Sequence, residues 1–214
     1  MTIATAPADA TTPAQSRPRR RWTDAEFDRL VESGVVREGS PAFLWDGEVI
    51  DPMAEDYPHL NAVFHLFQIL MARLVPADWT VNQNLGIELA AGYRPQPDLS
   101  VVRGPRSSLR ARGARPRPAD VALLVEVSDT TYLDDSGEYL RKYAEVGISR
   151  YWIVNIPART VEVYTGPDPE SLSYRVRVVY SLDETVPLTL DVGGVATDLG
   201  AIAVRDILRD SLED

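Results

Sequence analysis

The sequence has no cysteine, one lysine and two histidines, and the low number of these residues limits the kinds of functional site that the chain can form. Without cysteine it can form neither a disulfide scaffold nor a thiolate metal site. No apolar run approaches the roughly 18 residues of a membrane span, and residues 1–14 lack the basic start and apolar stretch of a signal peptide. We therefore expect a cytoplasmic protein with no membrane partner.

The composition is typical of a folded chain of one domain. Of the 214 residues, 44% are apolar and 25% are charged, which argues against disorder and against a fibrous protein. Residues 1–21 are rich in Ala, Thr, Pro and Arg and show no apolar periodicity, so they are expected to be a disordered basic tail. Residues 22–214 are predicted to form a single domain.

The charge is unevenly distributed. A formal charge of -10 is unusual for a nucleic-acid-binding protein, because such proteins usually present basic residues to phosphates. However, an acid-free run between two predicted strands contains six arginines, which are Arg103, Arg106, Arg110, Arg112, Arg115 and Arg117. This run could be a solvated loop, or a flexible loop beside the site that contacts phosphates, and we predict that it binds nucleic acid.

Local signals predict the N-terminal elements. Thr23 and Glu26 have the spacing of a capping box that begins a short helix. The Asp46-Gly47 pair lies between two apolar runs and predicts a β-hairpin. From Pro58 to Val75, apolar residues recur every three or four positions, which predicts a long helix packed on the core.

The rest of the chain is predicted to alternate strands with two helices. Apolar and β-branched runs predict strands at 79–82, 85–89, 99–102, 121–127, 151–154, 161–164, 174–180 and 188–192. The 121–127 run should be a central strand buried on both faces. Helices are predicted at about Asp135 to Val146 and near 204–208. The expected class is α/β, with a mixed sheet of the α+β kind.

Two acids occupy unusual positions. Asp98 lies at the start of a predicted strand, and Glu126 lies inside the most apolar strand. Burying an unpaired carboxylate costs several kcal/mol, so Glu126 should bind a cation, either an arginine or a metal ion. Lys142, the only lysine, could place a compact charge beside a phosphate or could simply face solvent.

Four segments in this order resemble the bacterial family of putative restriction endonucleases, within the PD-(D/E)XK nuclease superfamily. They read LWDGEVI at 44–50, QPDLSVV at 96–102, LVEVS at 124–128, and YAEVGI at 143–148 followed by YWIV at 151–154. The resemblance implies a restriction-endonuclease-like core, with a central mixed sheet flanked by helices. It also implies that Asp98 and Glu126 hold Mg²⁺ or Mn²⁺ and that nucleic acid, DNA in the first instance, is hydrolysed.

The sequence departs from this family at the catalytic lysine. The superfamily lysine would fall at Ser128, and the resemblance places the family's lysine on the next helix, at Tyr139. Lys142 lies about one turn later and could restore the charge, so we count it as catalytic. Glu48 also matches a family position, although exposure beside a hairpin turn explains it equally well. His59 matches too, but a histidine starting an apolar helix more often caps or packs, and it is left out of the catalytic set.

Three functions follow from these residues. The first is a metal-dependent endonuclease that acts as a homodimer, since two sites related by a two-fold axis can cut both strands. The second is a nucleic-acid-binding or regulatory module that keeps the fold but has lost the lysine. The third is an acid-pair hydrolase of sugars, in which two carboxylates work without a metal.

Overall fold

The three elements predicted near the N-terminus are all present. The computed structural model describes residues 19–37, 39–52, 54–76, 78–192 and 195–211. Thr23 and Glu26 form the expected capping box at the start of α1 (Asp24–Glu32). Asp46 and Gly47, with φ of 47° and 69°, connect β1 (Phe43–Trp45) to the antiparallel β2 (Glu48–Ile50). The long helix α2 spans Tyr57–Arg73 and is capped by Asp56.

A six-stranded mixed sheet forms the centre of the fold. In chain order its strands are β3 (Trp79–Gln83), β4 (Leu99–Arg103), β5 (Val121–Ser128), β6 (Arg150–Asn155), β7 (Thr160–Asp168) and β8 (Ser173–Ser181). They lie side by side in the same order. Only β5 and β6 pair in parallel among these six strands, because the helical segment between them returns the chain to the same end of the sheet. The expected mixed sheet is therefore confirmed.

Helices and small sheets cover both faces of this sheet. Alternation along β5 sends Leu123, Val125 and Val127 into one core, which also contains buried residues of α2. The C-terminal elements complete that core, namely β9 (Thr185–Val192), β10 (Val195–Ala203) and α6 (Val204–Ile207). Leu124 faces the second core, with β1 and the helix after β5. All eight residues of β5 are buried, as expected for a central strand.

The helix between β5 and β6 contains a wide turn. It begins as α4 (Tyr132–Asp134), continues as a π-helical segment (Asp135–Tyr139), and ends as α5 (Leu140–Glu145). Gly147 follows with φ of 79°, which terminates the helix as the sequence predicts. The π turn is the feature that periodicity did not reveal, and such turns often occur at functional sites.

Two local predictions are wrong. Residues 85–89 form no strand; Ile87 and Leu89 are buried in a loop whose N–H groups bond to the carbonyls of Pro95 and Tyr93. The arginine run is not one flexible loop, because Arg106–Arg112 form α3 and Pro118–Asp120 form a short 3-10 turn. Strand β10 was not predicted.

The last basic residues of the predicted tail contact the folded part of the chain. Residues 1–18 lie outside the described residues, and so the tail and domain boundary stay predictions. Arg20 pairs with Glu26, and Arg21 pairs with Asp46 at 2.7 Å. Within the described ranges, no helix is both long and apolar enough to cross a membrane.

Candidate active site

Asp98 and Glu126 meet at one end of the central sheet. The register of β4 and β5 pairs Leu99 with Val125, so Asp98, just before β4, lies beside Glu126. The Asp98 N–H donates to Glu126 Oε2 at 3.2 Å, and the Val127 N–H donates to Asp98 Oδ2 at 2.7 Å. The backbone therefore fixes both carboxylates in adjacent positions.

A third carboxylate, Asp135, joins this pair from the start of the π segment. The hydroxyls of Ser128 and Thr131 each donate to Asp135 Oδ2 at 2.6 Å. On the same side, the fully buried Tyr143 donates its hydroxyl to Glu126 Oε1 at 2.7 Å. Neither Asp135 nor Tyr143 was predicted as a site residue, although Tyr143 begins a segment that carries the family resemblance. The helical path after β5 brings both residues to Glu126.

The electrostatics of these acids favour their protonated forms. Burial, followed by the negative charges of Asp98 and Asp135, raises the pKa of Glu126 well above its usual value. Burial also raises the pKa of Asp135 from 3.8 to about 6, although its two hydroxyl donors oppose that effect. Crowded carboxylates of this kind are stabilised by a bound proton or by a metal cation.

His59 and Glu55 extend the cluster on the α2 side. His59 Nε2 lies 3.2 Å from Asp98 Oδ2, and His59 Nδ1 lies 3.4 Å from Glu55 Oε2. Burial lowers the pKa of His59, but its hydrogen bond to Asp98 and its contact with the Glu55 carboxylate outweigh that effect and raise the pKa to about 10. Glu55, His59 and Asp98 each offer a ligand atom, all within 4.8 Å of one another. The match of His59 to a family position was the sequence signal for this contact.

These residues open into a strongly acidic cleft of about 480 Å³. None of the described residues that line it is a lysine or an arginine. Its lining includes Tyr139 and seven acids, which are Glu55, Asp56, Asp98, Glu126, Asp129, Asp134 and Asp135.

Tyr139, and not Lys142, lines this cleft. The Lys142 ammonium binds Glu145 Oε2 at 3.0 Å and lies 3.8 Å from the centre of the Tyr93 ring. Tyr139 packs its ring 4.3 Å from that of Trp45, and burial together with nearby acids raises the pKa of its phenol. The structure thus does not bring Lys142 together with the acids, and its catalytic role stays a prediction.

Glu48 also lies apart from the cleft lining. It belongs to β2, and its carboxylate is 3.5 Å from the guanidinium groups of Arg19 and Arg21. These contacts account for an acid in this position, and participation of Glu48 in catalysis likewise stays a prediction.

The arginine run leaves the sheet at the opposite end from the cleft, which corrects the expected position beside the site. Asp98 precedes β4 and Glu126 lies near the end of β5, so the connection between these antiparallel strands must emerge at their other end. The five residues of β4 span about 17 Å. Arg112 pairs with Asp120 and Arg117 with Glu88.

Comparison with known proteins relates this architecture to nucleases. Residues 24–202 match the Uma2 family, described as "Putative restriction endonuclease". No curated protein gives a significant match. A crystal structure of a "putative nuclease belonging to DUF820" from Anabaena variabilis superposes with a TM-score of 0.62 at 15% identity, covering 89% of this chain and 99% of that one. At such low identity, this similarity shows a shared fold.

Proposed function

The chain belongs to the Uma2 family, described as "Putative restriction endonuclease", and on that basis we propose that it is a divalent-metal-dependent endonuclease. The proposed substrate is a nucleic-acid phosphodiester, DNA in the first instance. The observation that carries this proposal is the cleft at Asp98 and Glu126, which collects seven acids and is lined by no described lysine or arginine.

This charge arrangement makes a cation necessary for the proposed substrate. A phosphodiester is an anion, and carboxylates in a partly desolvated cleft repel it. The residues present fit a divalent cation, because Asp98, Glu126 and Asp135 offer hard oxygen atoms, and a bound cation would relieve the repulsion that raises the pKa values of Glu126 and Asp135. When bound, such an ion lowers the pKa of a water molecule and neutralises charge on the phosphate.

We assign Asp98 and Glu126 as the principal ligands. Their oxygen atoms suit Mg²⁺, whereas an additional imidazole ligand would shift the preference towards Mn²⁺. His59 has a pKa of about 10 and therefore carries a proton that must leave before it can bind a metal. For this reason we place His59 as a hydrogen-bond donor to Asp98, and not as a first ligand.

The surrounding residues hold these carboxylates in place. Tyr143 fixes one oxygen of Glu126, and the Asp98 N–H fixes the other. The Val127 N–H and His59 both contact Asp98 Oδ2, which leaves Asp98 Oδ1 as the oxygen free of these two contacts. Preorganised ligands of this kind bind an ion without a further loss of side-chain entropy.

The exposed arginines on and beside α3 are proposed to contact the nucleic-acid backbone. Within the described chain, no acid pairs with Arg103, Arg106 or Arg110. A duplex held at the cleft would span the distance of about 17 Å to this region in about five base pairs. Changing Arg106 and Arg110 to glutamine should lower the salt dependence of DNA binding, and an unchanged slope would reject these contacts.

Cleavage of supercoiled plasmid tests the proposed activity. The wild-type protein should cut in Mg²⁺ or Mn²⁺ and stop in a chelator, whereas Asp98→Asn and Glu126→Gln should lose cleavage, because each removes an anionic ligand. The matched controls Asp183→Asn and Glu170→Gln change exposed acids outside the cleft and should cut normally. Near wild-type cleavage by either cleft variant would contradict the assignment.

A nucleic-acid-binding module without catalytic activity is the second candidate. It is favoured by Tyr139, which occupies the cleft where the resemblance implies a lysine, and by the contacts that hold Lys142 elsewhere. DNA binding in the presence of metal, without cleavage by the wild-type protein, would support this module over the enzyme.

A further inference from the structure

Helix α2 presents an apolar stripe to solvent along its whole length. Its members within α2 recur at intervals of three, four and seven residues, which keeps them on one side of the helix, and a further member, Val75, follows two residues after the helix ends. Their exposed fractions are 79% for Tyr57, 47% for Leu60, 51% for Phe64, 47% for Met71 and 56% for Val75. On the opposite side of α2, Leu66 and Leu70 are fully buried in the core. The core of a single copy therefore does not use the side chains of this stripe.

The stripe is also free of charge. Between Tyr57 and Ala72, α2 contains no Asp, Glu, Lys or Arg. The exposed residues that lie between the stripe members on this side of the helix are Gln68 and Ala72, which are uncharged. Solvent-facing helices normally carry charged residues, and a contiguous apolar patch is typical of a protein interface. An anionic membrane is disfavoured as a partner, because a helix that binds such a surface carries lysines or arginines beside its apolar side.

We propose that this stripe is the interface between two copies of the chain, related by a two-fold axis. Two molecules that each have a net charge of -10 repel each other, and an uncharged surface lets them approach with the least repulsion. An isologous interface must be complementary to itself, which an apolar helix side satisfies without matching charges. This inference does not rest on nuclease activity.

The size of the stripe is sufficient for a dimer. The five side chains expose on the order of 500 Å² per copy, given areas of about 150–250 Å² for a large aromatic side chain and less for an aliphatic one. Two copies would bury on the order of 1,000 Å², which is the lower bound for a specific interface. Flanking residues would add to this area.

The most direct arrangement is an antiparallel pair of α2 helices. The midpoint of the stripe between Tyr57 and Val75 falls near residue 66, so Phe64 and Gln68 of both copies would lie close to the axis. The two helix dipoles would then oppose each other, which is favourable. His59, seven residues from the midpoint, would lie about 10 Å from the axis along the helix in each copy.

Solution mass and charge substitution test this interface. Light scattering of the full chain at micromolar concentration should give twice 23.7 kDa. Phe64→Glu places a charge in the stripe and should raise the dimer dissociation constant by roughly a hundredfold or more. Val178→Glu is the matched control, because Val178 is an exposed valine on the edge strand β8 and its change should leave the dimer intact. Phe64→Gln provides a milder second variant, and circular dichroism reports folding for all of them.

Crosslinking provides an independent test, because the chain has no native cysteine. A short bifunctional maleimide should link Gln68→Cys into a covalent dimer and should leave Val178→Cys without a covalent crosslink, as denaturing electrophoresis would show. A monomeric wild-type protein would overturn the proposal, as would a dimer split by Val178→Glu and not by Phe64→Glu. A monomer that binds phosphatidylserine vesicles through this stripe would overturn it in favour of a membrane surface.

Discussion

At the scale of single residues, the site buries acids so close together that the pKa values of Glu126 and Asp135 are raised. Burial and the charges of Asp98 and Asp135 raise the pKa of Glu126. Burial is the main cause of the raised pKa of Asp135. Hydrogen bonds from Tyr143, Ser128 and Thr131 compensate only in part. A cation entering the cleft would displace protons from these acids, so metal affinity should increase with pH.

The stability of the metal-free protein should reveal the buried charge of Asp135. Its pKa is 3.8 in an unstructured chain and about 6 in the fold, so the folded state binds the proton more tightly. Below pH 4 the Asp135 carboxyl is neutral in the fold and does not lower the free energy of unfolding. As pH rises from 4 to 6, the carboxyl ionises more readily in the unfolded chain, so the free energy of unfolding falls by up to about 3 kcal/mol and stays lower above pH 6. Asp135→Asn removes that loss of stability and keeps an oxygen acceptor for both hydroxyls.

Urea unfolding with a chelator present should therefore find Asp135→Asn more stable than wild type at pH 8. The difference should vanish near pH 4, where both proteins carry a neutral group at this position. A difference that stays constant from pH 4 to pH 8 would mean that the Asp135 pKa is not raised. Asp183→Asn, at an exposed site, controls for a general loss of negative charge.

At the scale of elements, the π segment determines which side chain faces the acids. It positions Asp135 at its start and Tyr139 at its end, and both line the cleft. Lys142, one turn later on α5, instead contacts Glu145 and Tyr93. The helix thus places the neutral phenol of Tyr139 in the cleft, at a position where a fixed positive charge would stabilise the transition state of a nuclease of this kind.

Tyr139→Lys should consequently increase metal-dependent cleavage by roughly tenfold or more, because an ammonium in the cleft stabilises charge that develops on the phosphate. In contrast to the catalytic role expected from the sequence, the position of the Lys142 ammonium outside the cleft predicts that Lys142→Ala changes the rate by less than about threefold, since such a group stabilises no transition-state charge there. Initial rates under single-turnover conditions measure both variants. A loss of about a hundredfold in Lys142→Ala would instead support Lys142 as the catalytic cation, reached by movement of its side chain.

Periodicity and turn chemistry predicted the elements that local interactions determine. The capping box at Thr23, the Asp46-Gly47 hairpin and α2 follow from residues close together in sequence. The strand predicted at 85–89 was wrong because the alternation of the buried Ile87 and Leu89 resembles a strand pattern, while their backbone N–H groups bond to a nearby loop and not to a strand of the sheet. Strand β10 was missed because its partner β9 provides much of its stability.

The site was predictable only where a residue contradicted its local surroundings. Glu126 was recognisable as a carboxylate inside an apolar strand, and Asp98 through the family resemblance. Glu55 and Asp135 are unremarkable in the sequence, because their role depends on how α2 and the π segment pack against the sheet end. The wrong position of the arginine run came from overlooking the antiparallel direction of β4 and β5.

At the scale of the whole molecule, a chain with a charge of -10 separates two surfaces of different character. The cleft concentrates acids that a divalent cation would neutralise, and the exposed side of α2 has no charged residue from Tyr57 to Ala72. Both surfaces meet near the start of α2, where His59 contacts Asp98. Two copies joined through α2 would therefore carry both clefts in a single assembly.

Calorimetric titration with Mn²⁺ or Mg²⁺ near pH 7 tests the central claim most directly. In two buffers with different ionisation enthalpies, the wild-type protein should bind the ion with a net release of protons, because the pKa values of Glu126 and Asp135 are raised and a metal displaces protons from such acids. Glu126→Gln should weaken binding by at least about tenfold and lower this proton release, whereas Glu170→Gln should behave as wild type. The absence of binding by the wild-type protein, or unchanged binding and proton release in Glu126→Gln, would contradict the account.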